Sequence, residues 1–255
     1  ANEPPLHLRR EKLSLQYALK LKSNPSNPAY QKTFRPKYAL LYASKPKTIP
    51  SFGIRIKDAF RQVSENPEQI YPFVFPPKPP WKFSIPKIDL SLTHLNKNST
   101  NPLIFQNSFS ELRAKYRHCR TIYTDGSKTQ DRVAAAATSC SEDFQTRLPD
   151  MASIYTAELQ ALKIAFYHVE NSTSQDYIIF TDSLSSLMAL KGNQFHHPYV
   201  SDLLQKYSEL VKLNKSIVLA WVPSHVGIKG NEEADTLAKE ALNLNINNIK
   251  IPHTD

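Results

Sequence analysis

The sequence is poor in everything that would tie it to an oxidising or membrane setting. It has two cysteines in 255 residues, Cys119 and Cys140. That rules out a disulfide framework, and neither belongs to a CxxC pair, so both are expected as reduced thiols of an intracellular protein, nuclear or cytoplasmic. No stretch approaches the ~20 uninterrupted apolar residues of a membrane helix. The first twenty residues carry charges throughout and lack the apolar region of a signal peptide. His196 and His197 have no cysteine or further histidine at zinc spacing, so the pair marks a loop. There is no internal repeat. The chain also opens at Ala1 without a methionine, as a piece of a longer protein would.

What is present is unevenly spread. The net charge is +9, yet residues 1–120 hold 21 Lys and Arg against 7 Asp and Glu, while the remainder holds 11 against 16. Proline divides the same way, with 15 of 19 before residue 110. Composition therefore places a boundary near residues 105–120. It predicts a basic, Pro-rich, partly helical accessory region over 1–117, a folded domain over 118–245 and a tail over 246–255. The basic half is a natural footprint for phosphate backbones, although a basic surface also simply keeps a protein soluble.

In the accessory region, Leu6–Lys22 is expected as an amphipathic helix with Lys and Arg on its wet side, ended by Ser23–Pro28. A short helix is expected over Ile54–Val63. Tyr71–Pro86 (YPFVFPPKPPWKFSIP) reads as an extended, polyproline-like tether, and Phe105–His118 as a helix leading into the second half.

From Thr121 the pattern changes. Thr121–Thr124, Arg132–Ser139 and Asp143–Leu148 predict a three-stranded antiparallel meander. Tyr155–Glu170 is a strong helix with Thr156 as its cap candidate. Tyr177–Thr181 is a short apolar run of buried-strand type. Helices follow over Ser183–Leu190 and Tyr199–Leu213, then a strand over Ile217–Val222. Asn231–Leu242 is a last helix whose apolar residues at 234, 237, 238, 241 and 242 form one core-facing stripe. The order βββαβααβα implies a mixed α/β sheet with helices packed on its faces.

Four carboxylates stand out. Each has a plain structural account. Asp125 lies in YTDGS, and Asp-Gly between strands is first a turn signal. Asp182 fits a helix cap, and Glu158 and Asp235 near helix starts complement the macrodipole. Together these accounts strain. Glu158 is in phase with Ala161, Leu162, Ala165 and Val169, the stripe that should face the sheet, where an unpaired carboxylate is unfavourable. Asp182 ends a strand too apolar for a sheet edge. Asp235 sits beside Ala234 at the margin of the buried face. Four acids meeting at one sheet edge would repel one another, and divalent cations with hard oxygen ligands, magnesium or manganese, are the usual remedy. A pair of such ions about 4 Å apart can clamp the attacking and leaving oxygens of a phosphoryl transfer.

The segments TIYTDGSK, TAELQALKIA, IIFTDSLSSL and WVPSHVGIKGNEEADTLA resemble the four blocks of type 1 ribonuclease H, in order and at fitting distances. The resemblance covers about residues 118–245. It implies a ribonuclease H-like mixed five-stranded sheet, three antiparallel strands then parallel ones, with helices on both faces. It also implies a metal-binding quartet of Asp125, Glu158, Asp182 and Asp235 holding two Mg2+ ions, with Mn2+ a plausible substitute. Asp125 would bridge both ions, with Glu158 and Asp182 on one side and Asp235 on the other. His225 matches the family histidine that assists turnover. The implied activity is endonucleolytic hydrolysis of the RNA strand of an RNA–DNA hybrid, read by shape, phosphates and 2′-hydroxyls. Other nucleases and transposases share an acidic cluster, but the His225 loop with GNEEAD favours the ribonuclease.

More loosely, LHLRREKLSLQYALKLKSNPSNP and the Pro-rich stretch to IPKIDLSL resemble the region joining polymerase to ribonuclease H in non-LTR retrotransposons. That resemblance makes the polymerase part of the same polyprotein a candidate partner beside the hybrid, with no membrane involved. The alternative is a catalytically idle, hybrid-binding remnant of a transposable element. Some family members grip the hybrid with a lysine-rich handle, whereas Lys191–Val200 has one lysine. Hybrid affinity is therefore expected to come from the basic half, and residues 118–255 alone to bind more weakly with a shallower salt dependence.

Overall fold

The structure is a computed structural model that describes residues 3–45, 47–63, 66–73, 79–96 and 99–255. The chain divides into two compact units, residues 1–74 with 250–255, and residues 75–249.

The first unit is helical: α1 (Leu6–Lys22), α2 (Ala29–Phe34), α3 (Ala39–Ala43) and α4 (Phe52–Gln62). The expected α1 has the predicted limits, with Ser23 Oγ donating to the Lys20 carbonyl at its end. Its core is small, centred on Ala18, Ile56 and Phe60 with Phe34 and Phe52 against them. Gly53 lets α4 lie close on α2, because a Cβ there would stand 2.3 Å from the Thr33 carbonyl oxygen. The chain end is tied in by a parallel bridge, Tyr71 N–H donating to the Ile251 carbonyl and Ile251 N–H to the Gln69 carbonyl.

The second unit is a mixed sheet of six strands in the order β1-β6-β5-β2-β3-β4. These are β1 (Lys87–Asp89), β2 (Arg120–Lys128), β3 (Val133–Ser139), β4 (Asp143–Leu148), β5 (Asp176–Thr181) and β6 (Ser216–Trp221). The meander β2-β3-β4 is antiparallel, and β5 and β6 are parallel to β2, as the sequence leads one to expect. The expectation of five strands is corrected by β1, which pairs in parallel with Val218–Ala220 of β6. Three residues after Pro86 carry no readable period. Their strand character comes from the edge they meet, and from Lys87 N–H and Ser84 N–H donating to Tyr207 Oη and Ser208 Oγ. The predicted tether is thus only partly extended: Pro80–Lys82 is a helical turn, 83–89 is bound to the sheet unit, and 74–78 lie outside the described residues.

Five α-helices complete the unit among the described residues: α5 (Pro102–Lys115), α6 (Ile154–Asn171), α7 (Leu184–Lys191), α8 (Pro198–Lys212) and α9 (Lys229–Ala241). Side chains alternate faces along a strand, so Tyr123 and Gly126 of β2 point to opposite sides. Tyr123 meets α9, where a Cβ on Gly230 would stand 2.2 Å from its ring, and Gly126 meets α6. Beneath β5 and β6, Phe105 and Leu112 of α5 join Ile178, Phe180, Val218 and Ala220 in one buried cluster. This places α5, upstream of the expected domain start at residue 118, inside the core of the sheet unit. Ser153 rather than Thr156 caps α6, its hydroxyl accepting from Thr156 N–H. Among the described residues no helix is long and apolar enough to cross a membrane.

Candidate active site

β2 pairs in parallel with β5 only as far as Thr124 and runs on to Lys128 against β3, so Asp125 lies inside β2 beside the carboxyl end of β5. Thr124 is in register with Thr181, so the next residues, Asp125 and Asp182, emerge side by side. Inner-strand position explains why Asp182 follows so apolar a run, and Trp221 Nε1 donates to the Asp182 carbonyl at 3.0 Å, fixing the backbone there.

Glu158 arrives from α6. It lies beyond the first helical turn, so the macrodipole does not account for it. Gly126 sets its distance. A Cβ at that position would stand 2.9 Å from Glu158 N and 3.0 Å from Ala157 Cβ, so only glycine permits α6 to lie this close to β2. Oxygens of Asp125, Glu158 and Asp182 consequently fall within 4.8 Å of one another.

Asp235 and His225 form a second group with Glu232, again within 4.8 Å. Asp235 also accepts from Lys239 at 2.7 Å, one turn along α9. His225 is exposed and stands on a loop with positive φ, 55° at His225 and 80° at Gly227. Glu232 supports that loop: its Oε1 accepts from Gly227 N–H at 3.2 Å, and its Oε2 lies 3.8 Å from His225 Nδ1. All five residues singled out in the sequence thus come to one end of the sheet, in two groups. Glu232 was not singled out, although its place three residues before Asp235 puts it on the same helix face.

The electrostatics at Asp125 and Glu158 are those of crowded, buried acid. Burial, then the charges of Asp182 and Asp235, push Asp125 up to about 8, against the Gly126 N–H and Lys239. Burial, then the charges of Asp125 and Asp182, raise Glu158 well above its ordinary range. Glu158 Oε2 is buried without a hydrogen-bond partner. A buried oxygen with nothing to accept, amid repelling carboxylates, fits a hard divalent cation as the missing partner. Asp125, Glu158 and Asp182 supply the donors, and Asp235 is near enough for its charge to act on Asp125. A family model described as RNase H matches residues 117–243.

Proposed function

Because residues 117–243 form a type 1 ribonuclease H domain, a nuclease of RNA–DNA hybrids, we propose that this chain is a catalytically competent, divalent-metal-dependent endonuclease. It cuts the RNA strand of the hybrid at the acid cluster. The observation that carries the reading is the buried, unpartnered oxygen of Glu158 beside Asp125 and Asp182. Asp125, Glu158 and Asp182, with Asp235 alongside, would hold magnesium. When bound, magnesium supplies positive charge and Lewis acidity at the scissile phosphate.

The chain's own residues do the rest. Asp125, held inside β2, and Asp182, just past the end of β5, would present their carboxylates to the metal without rearrangement of the sheet. Glu158 faces the RNA strand's 2′-hydroxyl, which distinguishes RNA from DNA. The His225 imidazole, exposed and close to Glu232, carries a proton to or from the product side. The basic, Pro-rich upstream half fits the retrotransposon resemblance, with the polymerase part of such a polyprotein as partner. A hybrid substrate and two free thiols, Cys119 and Cys140, fit work inside a cell.

A substrate panel tests the reading: labelled hybrid, duplex DNA and duplex RNA, with magnesium, manganese or EDTA. Cutting of the hybrid alone, dependent on the metal, is expected. Retained hybrid binding by folded protein without cutting would favour the idle remnant.

A further inference from the structure

The helix α5 ends before the matched residues 117–243 begin, yet it touches the loop that carries His225. We propose that Gln106 of α5 is a positioning residue for that loop, so that the segment upstream of the ribonuclease H match is a working part of the catalytic unit. This rests on the role given to His225 above.

The contact is specific. Gln106 Nε2 donates to the Val226 carbonyl at 2.8 Å. A Cβ on Gly227 would stand 2.5 Å from the same Nε2, so the amide occupies the space that the glycine leaves open. Val226 itself is buried with Phe105, Leu92 and Ile228, and Phe109 packs against them.

The loop needs such support. His225, at φ 55°, sits in the left-handed region that only a few per cent or so of non-glycine residues enter, histidine more often than most. A backbone of that kind persists only where its surroundings over-determine it. Glu232 holds the loop from α9 by accepting the Gly227 N–H, and Gln106 holds it from α5 through the neighbouring carbonyl. The His225 side chain stays 63% exposed, so the two contacts fix the backbone while the ring remains free to turn. A ribonuclease H domain trimmed to its matched residues would lose one of the two.

The test uses the full chain with magnesium and two substitutions at half-buried Gln106: Gln106→Met, which keeps length without a donor, and Gln106→Glu, which sets an acceptor against a carbonyl. Loss of one ordinary hydrogen bond from the competent loop should lower kcat by about three- to tenfold. KM should stay within about twofold, because phosphate contacts elsewhere hold the hybrid. In a His225→Ala background the same substitutions should add nothing. The His225 ring resonance, assigned by its loss in His225→Ala, should shift or broaden in both variants. An unchanged kcat, a loss that multiplies with His225→Ala, or an unmoved His225 resonance would overturn the proposal. If the unsubstituted chain cuts nothing, the nuclease reading fails, and the resonance alone then decides whether Gln106 positions the loop.

Discussion

In protein freed of divalent ions, Asp125→Asn is expected to raise stability at neutral pH while abolishing cleavage. Asp125 is pushed up to about 8 in the fold from an ordinary 3.8, by burial first and by Asp182 and Asp235 next. Between those values the folded state keeps a proton that the unfolded chain releases, so stability falls as pH rises through the window. One such carboxyl contributes a slope of roughly 1.4 kcal/mol per pH unit. From pH 5 to pH 7 the loss is roughly 3 kcal/mol, on the order of 6–12 °C in Tm for a chain of this size. Glu158, raised by the same causes, steepens the slope. The amide has no proton to hold and leaves Glu158 one charge fewer to face. The variant should therefore show a shallower pH slope and a higher Tm at pH 7. Magnesium should reverse the order, since a ligand of the native state stabilises the protein that binds it. Tryptophan fluorescence reads the right unit, because Trp81 and Trp221 both fall within residues 75–249. Equal pH slopes for the two proteins in EDTA would refute the reasoning.

Other perturbations separate the parts of the account. Gly126→Ala should cost about 1–3 kcal/mol by forcing α6 off β2, and should cut the rate by at least about tenfold through displacement of Glu158; melting and saturating-substrate kinetics would show both. Phe105→Ala, fully buried though upstream of the family match, should destabilise the sheet unit by about 3–5 kcal/mol in urea titration. Although burial pushes Asp89 up, hydrogen bonds from Lys115, Ser91 and Tyr116 bring it to about 2. Its contribution is thus present above 3.8 and lost as pH falls toward 2. Asp89→Asn should remove no more than about 1 kcal/mol at neutral pH, Lys115 being largely solvated, and less again at pH 2. Residues 1–74 hold 13 basic and 5 acidic side chains, so residues 75–249 alone should bind hybrid more weakly, with a shallower salt slope, in filter-binding titrations.

The ribonuclease H half is legible because its signals are redundant. β3 and β4 are bounded by turn residues, β5 is a plain apolar run, and the α9 stripe is buried at 234, 238, 241 and 242 with Leu237 half-buried, so local pattern and tertiary packing largely agree there. The acids could be read together because Glu158 in a core-facing phase conflicts with burial unless something meets it. What the sequence hid depends on partners distant along the chain. β1 is three residues long and becomes a strand only against β6. The place of α5 under β5 and β6 follows from Phe105 and Leu112 fitting a cluster assembled from other elements. A cut at residue 118 would remove both elements, so it cannot isolate the contribution of the basic half. Ser153 outranks Thr156 as a cap because α6 begins at Ile154, a boundary set one residue from where its periodicity becomes visible. Glu232 was passed over because an acid in the first turn of a helix has an ordinary explanation, and only the positive φ of His225 and Gly227 reveals what it supports.

The central claim is that the Asp125, Glu158 and Asp182 cluster cuts RNA in a hybrid. It is tested most directly by single-turnover cleavage of a hybrid labelled on each strand, with magnesium, by the full chain and by Asp125→Asn. The account predicts cleavage of the RNA strand alone and its loss in the variant, with the variant still folded and still bound to hybrid. Cleavage of equal rate by both proteins, or cutting of the DNA strand, would contradict it.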